Sequence, residues 1–251
     1  MVGKRRGAMA LRAHHVSGRA TSGRPPGGST GTSARRGPPR LVGSVVTPAP
    51  PKPFHPRTAT LGVGTQLYRV FTAAPERRAT SFNPGFGSPT RFAFFGDPPV
   101  PVLYAAATEE AAVAETLLHD VPAAGGVLPY DAYSRAVMAR LEVARPLTVA
   151  VLHGLGLRKL KVTAAELTAS GADTYSDTAT WAHAAHEAGL DGLVWMSRMC
   201  NDAKAYVFFG DRCEGAFIQD VTFGRLFATG SDQLWLIDLC APLHVDVLLG
   251  P

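Results

Sequence analysis

Five polar residues stand at irregular intervals in mostly apolar surroundings: Arg69 in LYRV, Arg91 in TRF, Tyr104 in VLYAA, Glu115 in AETLLHD and Ser197 in WMSRMCNDAKAYVFF. A planar guanidinium grips a phosphate or carboxylate through paired hydrogen bonds that a lysine does not offer. A carboxylate held beside a reacting centre stabilises positive charge developing there. Tyrosine adds a ring and serine a hydroxyl for orienting a ligand. Together the five would make a cleft for an anionic ligand next to a charge-stabilising carboxylate. Each alone has a plainer explanation. Arg69 would pair with an acid on a sheet surface, Arg91 would face solvent from its Gly/Pro loop, and Tyr104 would belong to the core. Glu115 would be solvated and Ser197 would cap a loop. Ala111 and Ala112, one turn before Glu115, are small enough to let a ligand approach.

The elements that must position these residues follow from local pattern. QLYRV, 66–70, is a short strand after the Gly62 and Gly64 turn, and NPGFGSPT, 83–90, is a loop by its Gly and Pro content. PVLYAA, 101–106, is a buried strand whose prolines mark its start. Thr108 suits an N-cap with Glu109 and Glu110 in the first turn, and the helix should run to about His119 because Pro122 forbids its continuation. AVMARLEV, 136–143, alternates with Val137, Ala139, Leu141 and Val143 on one face and Arg140 and Glu142 on the other. LTVAVL, 147–152, is a further strand. KVTAAELTAS is expected to give a short helix from Thr163, and SDTATWAHAAHEAGL a longer one capped by Ser176 and closed by Gly189. GLVWMS, 192–197, and AYVFFG, 205–210, are strands flanking the SRMCNDAK loop, and DQLWLIDL beyond them is strand-like. Strands broken by short helices, without a regular βαβ rhythm, give an α+β fold.

Charge divides the 251 residues. Residues 1–52 hold ten Lys or Arg and no acid, which leaves 15 bases against 20 acids in residues 53–251, a net charge of about −5. The leader is rich in Gly, Pro, Ser, Thr and Arg, as in RPPGGSTGTSARRGPPR, and lacks the large apolar residues needed to offset ordering entropy. Residues 1–56 are therefore expected as a disordered basic tail and residues 57–251 as the catalytic domain. Without interleaved aromatics the tail is no nucleic-acid arm beyond weak, salt-sensitive contact. No apolar run reaches bilayer length and no signal peptide opens the chain, so a cytoplasmic protein is expected.

Other chemistries find no support. Cys200, Cys213 and Cys240 form neither a disulfide framework nor a zinc pattern and are expected as buried free thiols. GVGTQL, 62–67, lacks the third glycine of a dinucleotide fingerprint. HAAHE, with His183 and His186, is not HExxH and is expected as a surface pair. No GxSxG elbow and no GxxxxGK loop occurs, and no metal site is expected.

In order, local context and spacing, Arg69, Arg91, Tyr104, Glu115 and Ser197 resemble the RES-domain family over about residues 66–210. The family takes its name from Arg, Glu and Ser positions and includes toxins of toxin-antitoxin pairs that degrade NAD. The resemblance implies an ADP-ribosyltransferase-like split mixed β-sheet with short flanking helices, gripping NAD as substrate. Phosphorolysis or hydrolysis of its nicotinamide-ribose bond follows, with inorganic phosphate as co-substrate and no metal. It assigns Glu115 to the oxocarbenium-like ribose, Arg69 and Arg91 to the diphosphate or an incoming phosphate, Tyr104 to nicotinamide or ribose, and Ser197 to the diphosphate or ribose. It also implies an antitoxin protein that blocks the cleft. Family members often have Arg-Trp-Asn at the second arginine, whereas this chain has Arg91-Phe92-Ala93. Transfer of ADP-ribose to a macromolecule and a non-catalytic binding module are the alternatives.

Overall fold

Residues 46–250 are described by the computed structural model, and residues 1–45 of the expected tail lie outside them. In chain order the elements are β1 (Thr58–Leu61), β2 (Gln66–Thr72), β3 (Val102–Ala106), α1 (Glu109–Thr116), β4 (Gly126–Leu128), α2 (Tyr130–Tyr133), β5 (Ala136–Val143) and β6 (Leu147–Val151). They continue with α3 (Leu155–Lys159), α4 (Tyr175–Glu187), β7 (Gly192–Met196), β8 (Lys204–Phe209), β9 (Phe217–Leu226), α5 (Gly230–Cys240) and β10 (Val245–Val247). Eight strands form one sheet in the order β1-β6-β7-β8-β3-β2-β5-β9, and β10 pairs with β4. Only β6 and β7 run parallel within the large sheet, so it is mixed and the fold is α+β, as expected.

The sheet is nearly divided at its centre. β2 pairs with β5 at seven positions and β3 with β8 at five, but β2 and β3 meet only at Tyr68 and Ala106. Three apolar clusters follow from this division. One packs α4 and the loop around Phe92 against β7, β8 and β3, with Trp181 and Trp195 almost wholly buried. A second lines the opposite face through Leu103, Leu141, Val149 and Phe208. A third gathers α1, Tyr133, Phe227 and α5 over β2 and β5.

Residues 46–56, assigned to the tail by their composition, lie against the body. Thr47 donates from its hydroxyl to the Glu166 carbonyl at 2.6 Å, Trp181 Nε1 donates to the Pro48 carbonyl at 2.7 Å, and Phe54 meets the Trp181 ring edge-on. A Trp181→Phe variant replaces the buried indole with a smaller ring and strands that carbonyl, which together should cost about 1–3 kcal/mol in urea denaturation. An unchanged midpoint would mean that the strap adds nothing to stability.

Local signals set several boundaries. The Thr108 hydroxyl accepts from Ala111 N, capping α1 as expected, but the helix stops at Thr116 before reaching His119. Gly189, at φ +81°, closes α4, whereas its first residue is Tyr175 and not the expected cap Ser176, which lies inside the helix. Thr163 and Glu166 form the reciprocal bonds of a capping box, yet only turns follow where a helix was expected, because the chain folds back to supply carbonyls to Arg91. The expected alternation in β5 is incomplete. Ala136 and Met138 are buried as well, since α1 and α5 cover the face that would have been solvated.

DQLWLIDL is not a strand. It lies in α5, where Leu236 and Cys240, four apart, are buried together. Asp232 in the first turn accepts from Leu226 N and pairs with Arg225, which also binds Glu109 and lies over Trp235. No helix among the described residues is long and apolar enough to cross a membrane.

Candidate active site

The division between β2 and β3 opens into a cavity of about 370 Å³ whose walls include Arg69, Arg91, Tyr104 and Glu115. That volume lies within the ~300–1,000 Å³ typical of small-molecule sites. Each residue arrives on a different element. Arg69 comes from the middle of β2, Tyr104 from β3, Glu115 from the end of α1, and Arg91 from the long connection between β2 and β3.

Arg69 is 9% exposed and finds no acid, contrary to the surface ion pair its strand position suggested. Its Nη1 donates to the carbonyls of Ala79 at 2.5 Å and Ser81 at 2.7 Å. Burial, aided by the charge of Arg77, pushes its pKa down to about 10, which leaves it cationic at neutral pH. Arg91 is 7% exposed, so the solvent-facing alternative fails for it too. Its Nη1 donates to the carbonyls of Leu167 at 3.3 Å and Ser170 at 3.0 Å and to the Ser170 hydroxyl, and its guanidinium lies 5.4 Å from the centre of the Tyr175 ring. Burial lowers its pKa, against the opposing influence of Tyr175 and Glu115. Among the described residues neither guanidinium has a carboxylate within 4.0 Å, so two buried cations are hydrogen-bonded there only to neutral oxygens. A buried charge without a counterion is costly, and a bound anion offsets that cost.

The Arg91 loop is fixed by its successor. Phe92 is fully buried at φ +69°, in the left-handed region that side chains avoid, and packs edge-on against Trp195 at 5.1 Å. Ala93 is buried in the same cluster, so the position where relatives often carry asparagine makes an apolar contact here. The Tyr104 hydroxyl donates to the Arg91 carbonyl and contacts the Thr90 hydroxyl at 3.0 Å, and burial raises its pKa above the ordinary tyrosine value.

Glu115 is held from one side only. Its Oε1 accepts from the Ser197 hydroxyl at 2.6 Å and from Arg198 N at 3.0 Å, while Oε2 takes no hydrogen bond among the described residues. Ser197 is fully buried and does not line the cavity; its oxygen also accepts from Cys200 N. The sequence suggested that this hydroxyl would face a ligand, but it is committed to the carboxylate.

Four contributors escaped the sequence reading. His119, four residues beyond Glu115, lines the cavity and bonds the Tyr175 hydroxyl through Nε2 at 2.8 Å; its spacing from Glu115 was the available signal. Trp195 also lines the cavity and has a buried Nε1 without an acceptor among the described residues. Tyr175, at the start of α4, and Arg198, beside Ser197, lie behind the cavity lining, touching Arg91 and Glu115 respectively, and carry no local signature. Among the described residues no group of three or more His, Cys, Asp or Glu side chains could hold a metal ion. His183 and His186 instead pair with Glu187 and Asp211. The three cysteines are free, with Cys213 and Cys240 buried as expected and Cys200 only partly so.

A family model, the RES domain, matches residues 66–227, more than half of the chain and extending through β9. No curated protein matches the sequence. Among solved structures, the chain is similar to one in the crystal structure of the M. tuberculosis MbcT-MbcA toxin-antitoxin complex, with a TM-score of 0.49 and 17% identity, covering 72% of this chain and 92% of that chain.

Proposed function

From the premise that this chain belongs to the RES-domain family, we propose that it cleaves the nicotinamide-ribose bond of NAD, with inorganic phosphate as the acceptor and water as the slower alternative. The observation that carries this reading is the pair of buried guanidiniums without acid partners, facing the same cavity as a carboxylate with one free oxygen. A diphosphate carries the counter-charge those arginines lack, and among the described residues neither guanidinium commits Nη2 or Nε to a hydrogen bond. Glu115 Oε2 stabilises the ribose as its bond to nicotinamide breaks and the ring becomes oxocarbenium-like. The bonding pair leaves with the pyridinium nitrogen, so nicotinamide departs neutral and needs no strong general acid. Tyr104 and Trp195 supply ring surface for nicotinamide or ribose. No metal enters this scheme.

Loss of NAD is harmful to any cell, and with the family resemblance this supports a toxin held in check by an antitoxin protein that covers the cleft. The test is incubation of the purified chain with NAD, with and without inorganic phosphate, and separation of products by mass. Nicotinamide with phosphorylated ADP-ribose is expected. Intact NAD in both reactions, from folded protein, would sink the proposal. A mass increase on a macromolecule in place of small products would mark an ADP-ribosyltransferase.

Ser197 orients Glu115 in this scheme and does not touch the ligand. Ser197→Ala should lower kcat about tenfold, equivalent to ~1.4 kcal/mol, by loosening one charged hydrogen bond. The KM for NAD should change less than about twofold, because uniform binding is untouched. A large rise in KM with kcat preserved would return Ser197 to direct ligand contact.

A further inference from the structure

We infer that Arg198 is the receptor for the anionic acceptor, an inorganic phosphate, and that it decides whether NAD is phosphorolysed or hydrolysed. This rests on the proposed NAD-cleaving function of the same site.

The diphosphate of NAD brings two negative charges, and the two buried cations in the cavity wall, Arg69 and Arg91, match them. The pyridinium of NAD offsets Glu115, so a phosphate entering beside that carboxylate brings negative charge that neither wall arginine is left to balance. A third cation is needed, and Arg198 is the one whose backbone is fixed at that carboxylate, through its N–H to Glu115 Oε1 at 3.0 Å.

Its side chain is exposed and makes no ion pair or hydrogen bond among the described residues. It is close enough to Arg91 and Tyr175 for its charge to influence both. Around Tyr175 the structure gathers Arg91 over the ring at 5.4 Å and His119 on the hydroxyl at 2.8 Å. Glu115 and Asp120 are the facing acids, and Asp120 is directed to solvent and to His119 Nδ1. Arg198 does not line the cavity itself, but its backbone is fixed at the end where Glu115 and Arg91 stand in the wall. Arg69 and Arg91 are held against backbone carbonyls, whereas Arg198 is free to close both arms of its fork on a tetrahedral oxyanion.

The chemistry balances without a base. Hydrogen phosphate already bears a charged oxygen, which forms the new bond to the ribose carbon as the bond to nicotinamide breaks and its electron pair neutralises the pyridinium. The phosphate proton stays on the product until it ionises to solvent. Water must instead lose a proton as it attacks, and Glu115 Oε2 is the nearby group able to take it.

Two measurements test the assignment. In the first, wild type, Arg198→Gln and Arg198→Lys are assayed with NAD across a phosphate series. Arg198→Gln should raise the KM for phosphate at least tenfold and shift products from phosphorylated ADP-ribose toward ADP-ribose, with the KM for NAD within about twofold, and Arg198→Lys should recover part of the loss. An unchanged phosphate KM and product ratio would overturn the inference while leaving NAD cleavage standing, as would wild-type turnover indifferent to phosphate. The second needs no turnover. Inorganic phosphate, compared with chloride at equal ionic strength, should raise the melting temperature of NAD-free wild type clearly more than that of Arg198→Gln, in which Arg69 and Arg91 still attract the anion. If NAD stays intact but this difference is seen, the receptor stands and the proposed reaction falls; if wild type and Arg198→Gln shift alike, the receptor falls.

Discussion

Glu115→Gln should reduce NAD turnover on the order of 10²–10³-fold, the loss typical when a preorganised electrostatic group is removed from the transition state. The amide is nearly isosteric. Its carbonyl oxygen can still accept from the Ser197 hydroxyl and from Arg198 N, which in the wild type hold Oε1 at 2.6 and 3.0 Å. Fold and ligand affinity should therefore survive. What disappears is the negative charge opposite a ribose that becomes cationic only during the reaction, so kcat should carry the loss while the dissociation constant for NAD shifts less than about threefold. The measurements are single-turnover NAD cleavage and equilibrium binding on the same preparation. Turnover within tenfold of wild type would remove Glu115 from the centre of the chemistry, and NAD affinity lost in step with turnover would recast it as a binding residue.

Arg91→Ala should damage stability and binding together. The side chain holds the carbonyls of Leu167 and Ser170 and the Ser170 hydroxyl, and its own backbone carbonyl receives the Tyr104 hydroxyl. Deleting it strands buried acceptors and empties the space over Tyr175. Together these should cost about 2–4 kcal/mol in denaturant unfolding. The cavity also loses one of its two buried cations, and the KM for NAD should rise on the order of a hundredfold if that cation holds a phosphate group. Arg91→Lys separates the two effects. It restores the charge without the fork, so affinity should recover partly while the lost carbonyl contacts keep stability low. A wild-type unfolding midpoint in Arg91→Ala would contradict the packing role, and an unaltered KM the binding role.

Much of the site's framework was legible because its signals are local. Prolines before Val102, a threonine followed by two glutamates and a glycine after Ala188 mark ends of elements whatever the rest of the chain does. The spacing of Arg69, Arg91, Tyr104 and Glu115 could be set beside that of a family, and these four do face one cavity. What stayed hidden depends on partners far away in sequence. Whether DQLWLIDL becomes helix or strand is decided by Arg225 bridging Glu109 and Asp232 and by the surface offered to Leu236 and Cys240. The Thr163 box forms its hydrogen bonds but cannot impose a helix where backbone carbonyls are drawn toward Arg91. Ser197 was found as a site residue, yet its task depends on which acceptor lies in reach, and that acceptor is 82 residues away. His119 and Tyr175, 56 residues apart, become neighbours only after α4 folds against the sheet.

The lone pairing of Tyr68 with Ala106 gives the molecule a mechanical character. Backbone amides facing each other across the rest of that seam lack mutual rungs, so this line is where thermal breathing of the domain should concentrate. A molecule lodged in the seam acts as the missing crosspiece and couples the two halves it touches. Amide exchange along both lips should then slow on binding even where no ligand atom makes contact, a rigidity that the polypeptide alone does not supply.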